Sequence, residues 1–371
     1  MTTLLFGTPV RFGHGMRSAL PAELAKAGSK KPLLVSDKGV RAAGVFAQAI
    51  EALTGAAGLP VFDEVPPNPT EAAAAAGAAM YLQHGCDSVV GIGGGAALDL
   101  AKAIAILATH PPPLWNYSNR HAAPADLVNT PPLILIPTTA GTGSEVGRSA
   151  VIIFDNGIKA GVRCPQIVTA AICDPELTLG LPPGITASTG MDALSHCIET
   201  YCSPTINPPA DAIALDGMQR IFAHIGRAVA DGNDRDARWN MMMGSLEGAI
   251  CFQKGMGAVH ALAHPLGALG FHHGTLNAIL LPHVVAYNLA SLGGKAERIC
   301  ERAGLPVGTS LPQAMVELLS RLPIPPRLRD LGLTQAQLAG IPEAALADNA
   351  HKTNPRALQR QDYETLLQSA F

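Results

Sequence analysis

The sequence predicts a two-part fold, a doubly wound parallel α/β domain over residues 1–182 followed by an all-helical domain over residues 183–371. Three observations carry this reading. Short apolar runs alternate with Ala-rich helical stretches through the first half. A run of glycines marks one of the strand-to-helix junctions. Strand candidates thin out after LPPG at residues 181–184, where long helical patterns take over.

In chain order, LLVSD (33–37) is an apolar run ending in an acid, LPVFDEV (59–65) a second, DSVVGI (87–92) a third and LILIP (133–137) a fourth. Between them lie helical stretches at 72–84 and 96–108, rich in alanine, the best helix former. Asn68 is read as the cap of the first of these, with Pro69 in its first turn, Glu71 three residues on and Gly85 as its stop. Strands alternating with helices imply a parallel sheet with helices on both faces. Beyond the boundary, near 180–185, the helical patterns run over 185–201, 210–230, 238–252 and 310–322.

At 371 residues the chain is long enough for two well-buried cores, and 48% apolar against 15% charged residues argues against disorder. A net charge of −3, scattered Lys and Arg and only 4% aromatic residues argue against nucleic acid as a partner. Seven cysteines without a C-x-x-C pair are expected to be reduced and mostly buried, in the cytoplasm. The opening MTTLLFGTPVR lacks the basic and apolar regions of a leader, and no uncharged apolar run reaches the ~20 residues of a membrane span, so no membrane partner is expected.

Two loops have the chemistry of a cofactor site. GIGGGAALDLAK (91–102) follows a strand and opens a helix; consecutive glycines let a phosphate approach backbone N–H groups and the helix N-terminus. PTTAGTGSE (137–145) is a second Gly/Thr-rich loop after a strand, able to hold ribose, diphosphate or an amide. Both would lie at the carboxyl ends of strands, where open α/β sheets bind ligands. Asp37 ends the first strand candidate; an acid there bonds ribose hydroxyls, or simply caps a helix.

The second half carries a different chemistry. GMDALSH (190–196) puts Asp192 and His196 four apart, on one helix face. HALAHPLG begins at His260 and repeats the spacing with His264, and a His272-His273-Gly274 triplet follows. Three imidazoles and one carboxylate suit a divalent first-row metal.

Together these motifs resemble the iron-containing alcohol dehydrogenase family along nearly the whole chain. VSDKGV (35–40), Asn68-Pro69-Thr70, GGGAALDLAK (93–102), PTTAGTGSE, GMDALSH and HALAHPLG stand in the family's order. The resemblance implies an N-terminal dinucleotide-binding domain, a helical metal-binding domain and an active site in the cleft between them. It implies metal ligands at Asp192, His196, His260 and His273, the last favoured over His272 because His-Gly matches the family. It places His264 near the metal without making it a ligand. The NAD-binding set it implies is Asp37, Asn68, Gly93, Gly94, Gly95, Ala96, Asp99, Thr138, Thr139, Thr142 and Lys159. Ala96 departs from the family's commoner serine, which removes one phosphate hydroxyl. A homodimer is also implied.

The chemistry expected from the resemblance is hydride transfer between a small primary alcohol, diol or hydroxy acid and NAD, beside one divalent ion, Fe2+ before Zn2+. Lewis-acid polarisation favours the alkoxide, and the nicotinamide carries the redox step. His264 is a candidate proton carrier. Arg148, Arg163 and Lys254 are candidate partners for a substrate carboxylate. Two other readings remain at this stage. One is a lyase resembling dehydroquinate synthase, which would need a basic cluster for a polyanionic substrate; none is visible around the metal motifs. The other is a non-enzymatic NAD-binding protein, which would be expected to have lost ligands.

Overall fold

The computed structural model describes residues 7–164 and 167–371. The absence of a leader read from the start of the chain therefore falls partly on residues 1–6, outside the described residues. The chain divides into two compact units, residues 7–139 with Gly143–Thr178, and Ala140–Thr142 with Leu179–Phe371.

The first unit is built on strands β1 (Val10–Phe12), β2 (Pro32–Val35), β3 (Val61–Phe62), β4 (Ser88–Gly93), β5 (Leu133–Pro137), β6 (Ser149–Ile153), β7 (Lys159–Arg163) and β8 (Ala170–Cys173). Six of them form one parallel sheet in the order β1-β8-β5-β4-β2-β3, and β6 and β7 pair as an antiparallel hairpin. Its helices are α1 (Leu20–Lys26), α2 (Lys38–Ala42), α3 (Val45–Ala49), α4 (Glu71–His84) and α5 (Gly95–Leu107).

Alternate strand residues enter opposite cores. Leu33, Val35, Val89, Leu133 and Leu135 pack with α4 and α5. Leu34, Val90, Ile92, Ile134 and Ile136 pack with residues of α1 and α3. Both faces are covered, so the strands read as continuous apolar runs, and this is why four of them were visible in the sequence. The strands β1 and β8 and the hairpin were not anticipated. The first two are three and four residues long, and AAIC in β8 offers small side chains with no period to follow.

The start of α4 differs from the expectation. Thr70, not Asn68, is the cap, with its Oγ1 accepting from the Ala73 N–H at 3.2 Å. The Pro69 carbonyl accepts from the Ile153 N–H at 2.8 Å and Thr70 bridges Ile153, which holds this segment extended and outside the helix. Gly85 does end α4, in the left-handed conformation at φ 60°.

The second unit contains α6 (Pro183–Cys202), α7 (Pro208–Ala230), α8 (Arg235–Ile250), α9 (Ala258–Ala268), α10 (His273–Asn288), α11 (Lys295–Arg302), α12 (Leu311–Ser320), α13 (Ile341–Leu346) and α14 (Arg360–Ala370). Helix α6 is buried on every side from Thr186 to Cys202, packed by α7, α8 and α10. Two of its hydroxyls bond back along the helix: Thr189 Oγ1 donates to the Ile185 carbonyl at 2.8 Å and Ser195 Oγ to that of Asp192 at 2.7 Å. The first turn of α10 lies directly on the α6 backbone. A Cβ at Gly274 would stand 2.5 Å from the Ser188 carbonyl oxygen, so only glycine permits the approach that carries His273 to Asp192. All seven cysteines are free and buried, and among the described residues no helix is long and apolar enough to cross a membrane.

Candidate active site

In the helical unit, α6 presents Asp192 and His196 one turn apart, α9 presents His260, and α10 opens with His273. Asp192 Oδ1 is the hub, with the Nε2 atoms of His196, His260 and His273 at 3.5, 3.7 and 3.7 Å. In a tetrahedral site with bonds of about 2.1 Å, neighbouring ligands stand about 3.4 Å apart; the ligand atoms of Asp192, His260 and His273 all lie within 4.8 Å of one another, a group that fits a divalent ion, and His196 stands beside Asp192. The His196 ring stacks on His260 at 4.6 Å, with Phe252 edge-on at 4.5 Å. His272 instead caps α10: its exposed ring accepts from the Thr275 N–H at 3.4 Å, and of the two neighbours His273 is the one facing Asp192.

The protonation pattern supports the same fit. His260 Nδ1 donates to Glu199 Oε2 at 2.5 Å, while Glu199 Oε1 accepts from the Val259 N–H at 2.7 Å. The bond to Glu199 fixes the His260 ring so that Nε2 faces Asp192, the atom that ligates once a cation displaces its proton. Burial alone would raise the Asp192 carboxyl, but His196 and the bond to His260 hold it far below the usual carboxylate range. Burial pushes His196 down to about 3, so that ring is neutral. For His260 burial is outweighed by the neighbouring Asp192 and Glu199 carboxylates, which bring it up to about 9. A desolvated anion ringed by three imidazoles is a donor set for a first-row cation.

The glycines lie in the other unit. Gly93 ends β4, Gly94 caps α5 and Gly95 opens it, so N–H groups at the start of a 13-residue helix are presented there. Thr138 follows β5, the neighbouring strand, and its N–H donates to the Gly93 carbonyl at 3.0 Å. Thr139 borders Gly94, at which a Cβ would stand 3.5 Å from its Oγ1. Asp37 follows β2, the strand on the other side of β4. Its Oδ1 accepts from the Val40 N–H at 2.9 Å, so it does cap α2. With Ala96, Lys38, Asp63 and Glu64 it also lines a cavity of about 450 Å³.

The remaining expected cofactor residues are placed less uniformly. Asn68 Oδ1 accepts from Lys159 Nζ at 2.8 Å, which brings these two together. The Asp99 carboxylate takes Ser144 Oγ at 2.6 Å, Lys102 Nζ at 3.2 Å and the Val151 N–H at 3.1 Å, so it braces α5 against the second loop and β6. Thr142 groups with the helical unit, unlike Thr138 and Thr139.

Residues 7–175 match the family described as iron-containing alcohol dehydrogenase, and residues 186–371 match its C-terminal part. The chain belongs to the iron-containing alcohol dehydrogenase family. A 4-hydroxybutyrate dehydrogenase of Cupriavidus necator is 47% identical over 383 residues, spanning all of both chains. Among solved structures, a 1,3-propanediol oxidoreductase superposes with a TM-score of 0.93 at 35% identity over the whole of both chains. A sulfoacetaldehyde reductase from Bifidobacterium kashiwanohense, solved in complex with NAD+, gives 0.89 at 28% identity over 100% of this chain and 98% of that one. As a family member this protein is an alcohol oxidoreductase that exchanges hydride with NAD, and the lyase and non-enzymatic readings fall away.

Two carboxylates that bind site histidines escaped the sequence reading. Glu199 lies seven residues after Asp192 on α6, so its helical spacing was a usable signal. Asp348 accepts from His264 Nδ1 at 2.9 Å across 84 residues of sequence, and no local pattern announces that pair. The carboxylate candidates also sort differently from expectation. Lys254 is buried, bound to Asp211 and to the Tyr201 carbonyl, and is not available to a substrate. Burial and the neighbouring Arg163 lower the Arg148 guanidinium, and among the described residues neither guanidinium has a hydrogen bond or ion pair.

Proposed function

We propose that this enzyme oxidises a small ω-hydroxy acid of the 4-hydroxybutyrate type, in reverse reducing the aldehyde, with Asp192, His196, His260 and His273 holding the metal. The observation that carries the site assignment is the convergence of three imidazole Nε2 atoms on one buried carboxylate oxygen. The substrate class is supported by the 47% identity to a 4-hydroxybutyrate dehydrogenase and by the Arg148–Arg163 pair, two cations without a carboxylate partner among the described residues. We propose ferrous iron as the resident ion; zinc suits the same ligands and is the alternative. The two units are proposed as the NAD-binding and metal-binding domains, working in a homodimer in the cytoplasm. The free thiols support the compartment, and the family resemblance supports the dimer.

When bound, the cation supplies Lewis-acid polarisation of the substrate oxygen and NAD accepts the hydride. The chain does the rest. Glu199 keeps His260 in the tautomer that presents Nε2. Asp348 holds His264 through Nδ1, which leaves Nε2 to take the alcohol proton as the carbonyl forms. His264 is stacked on His273 at 5.5 Å, beside the ligand set. The Gly93–Gly95 backbone is proposed to receive the diphosphate, Thr138, Thr139 and Thr142 the nicotinamide end, and Lys159 with Asn68 a ribose.

A substrate panel with NAD, after loading with iron or zinc, tests the reading. 4-Hydroxybutyrate is expected to exceed 1,3-propanediol and 1,4-butanediol in kcat/KM by about tenfold or more, or about 1.4 kcal/mol. A diol preferred over the hydroxy acid overturns the substrate assignment.

Cofactor choice should follow Asp37. Its Oδ1 caps α2, and the carboxylate still lines the cavity with Asp63 and Glu64. A 2′-phosphate of about −2 charge would meet Asp37 and Glu64 in a partly desolvated site, with Lys38 and the Arg41 paired to Asp63 offsetting part of the repulsion. NAD is therefore expected to be preferred over NADP by about tenfold to a thousandfold, about 1.4–4 kcal/mol. Asp37→Gly should narrow the ratio, chiefly by improving NADP. Equal wild-type kcat/KM for the two cofactors sinks the idea.

A further inference from the structure

We propose that Asn277 is a positioning residue of the metal centre, orienting the Asp192 carboxylate and closing the ligand face formed by Asp192, His260 and His273. The inference rests on the metal assignment above. Asn277 lies on α10 one turn after His273 and is fully buried. Its Nδ2 stands 2.6 Å from Asp192 Oδ1, 3.2 Å from His260 Nε2 and 3.1 Å from His273 Nε2. It contacts three of the four proposed ligands and makes no hydrogen bond with His196.

Those three residues offer ligand atoms within 4.8 Å of one another, and the amide sits over the triangle they make. An N–H donated to an ionised carboxylate is short and strong, and this one fixes which oxygen of Asp192 faces the imidazoles. The other end of the amide argues that packing is not its purpose. Asn277 Oδ1 is buried with no hydrogen-bond partner. A buried unpaired carbonyl is unfavourable, and an apolar side chain of similar volume would avoid it. The amide is kept for what Nδ2 does.

The test compares full-length Asn277→Leu, close in volume, and Asn277→Ala with the parent. Zn2+ and Co2+ affinities are read by chelator competition, and the Co2+ protein by its visible absorption. Metal binding is expected to weaken about 10–100-fold. The Co2+ bands should shift as Asp192 gains freedom, while NAD affinity and the cooperative melting of the metal-free protein stay near the parent. Asn277→Val, which removes the donor without adding a ligand, supplies the same spectroscopic reading if the other two do not fold. Metal affinity within about twofold of the parent and an unchanged Co2+ spectrum in a folded variant overturn the proposal. Asp192→Ala separates the two levels. Parent-like metal binding in that variant means the centre itself is misassigned, whereas metal loss there with no effect at Asn277 overturns only the present inference.

Discussion

Alanine at Asp192, His196 or His260 is expected to remove the bound metal and to lower kcat/KM by about a thousandfold or more, with the fold retained. The size follows from the Lewis-acid role: several kcal/mol of charge stabilisation depend on the ion, and each 1.36 kcal/mol is about tenfold in rate. Asp192 carries the largest share because every Nε2 is placed around its Oδ1. Removing it leaves three imidazoles, two of them buried, with no anion between them. Metal content by elemental analysis and far-UV circular dichroism separate loss of the ion from loss of the fold. Full occupancy in any one variant removes that residue from the site.

The neighbouring histidines sharpen the same experiment. His273→Ala should be as damaging as His260→Ala, since both present Nε2 to Asp192 at 3.7 Å. His272→Ala should change activity by about twofold at most, because that ring caps a helix, and helix caps contribute about 1 kcal/mol of stability. The reverse ranking would mean that the wrong neighbour was chosen. Loading should also weaken as pH falls, because protons compete for the ligand nitrogens, and His260 is held up to about 9 by Asp192 and Glu199.

What was legible in the sequence was what physics writes locally. Strands buried on both faces appear as uninterrupted apolar runs, so 133–137 was readable to the residue. The i,i+4 pair Asp192–His196 shares one face of one helix, so its convergence could be anticipated. Contacts that join distant segments leave no such mark. His264 and Asp348 meet only because α9 packs against α13 and the short turn that follows it. Asn277 would have required knowing that α10 lies on α6. The misplaced cap at Asn68 has the same origin, since Asn-Pro-Thr-Glu offers two plausible caps. A hydrogen bond to Ile153, more than eighty residues away, decides between them.

Gly94→Val is expected to weaken NAD binding by about a hundredfold, about 2.7 kcal/mol, at little cost in stability. Gly94 has φ −76° and ψ −177°, a conformation any residue adopts, and a Cβ there meets Thr139 only at 3.5 Å. The protein can therefore accept the side chain, apart from the modest penalty of a β-branched residue at a cap, about 1 kcal/mol or a few degrees in Tm. A diphosphate seated on the loop cannot accept it, because the branched methyls would stand where phosphate oxygens must reach the N–H groups at the start of α5. Gly93→Ala supplies the opposite control. Gly93 has φ 153°, and a Cβ there would lie 2.7 Å from the Ala97 Cβ, so substitution should lower Tm sharply whatever the loop binds. Calorimetric NAD titration and thermal melts on both variants read the two effects apart. Unchanged NAD affinity in a folded Gly94→Val protein would show that the glycines serve only the turn, and the cofactor would then have to be placed elsewhere on the sheet.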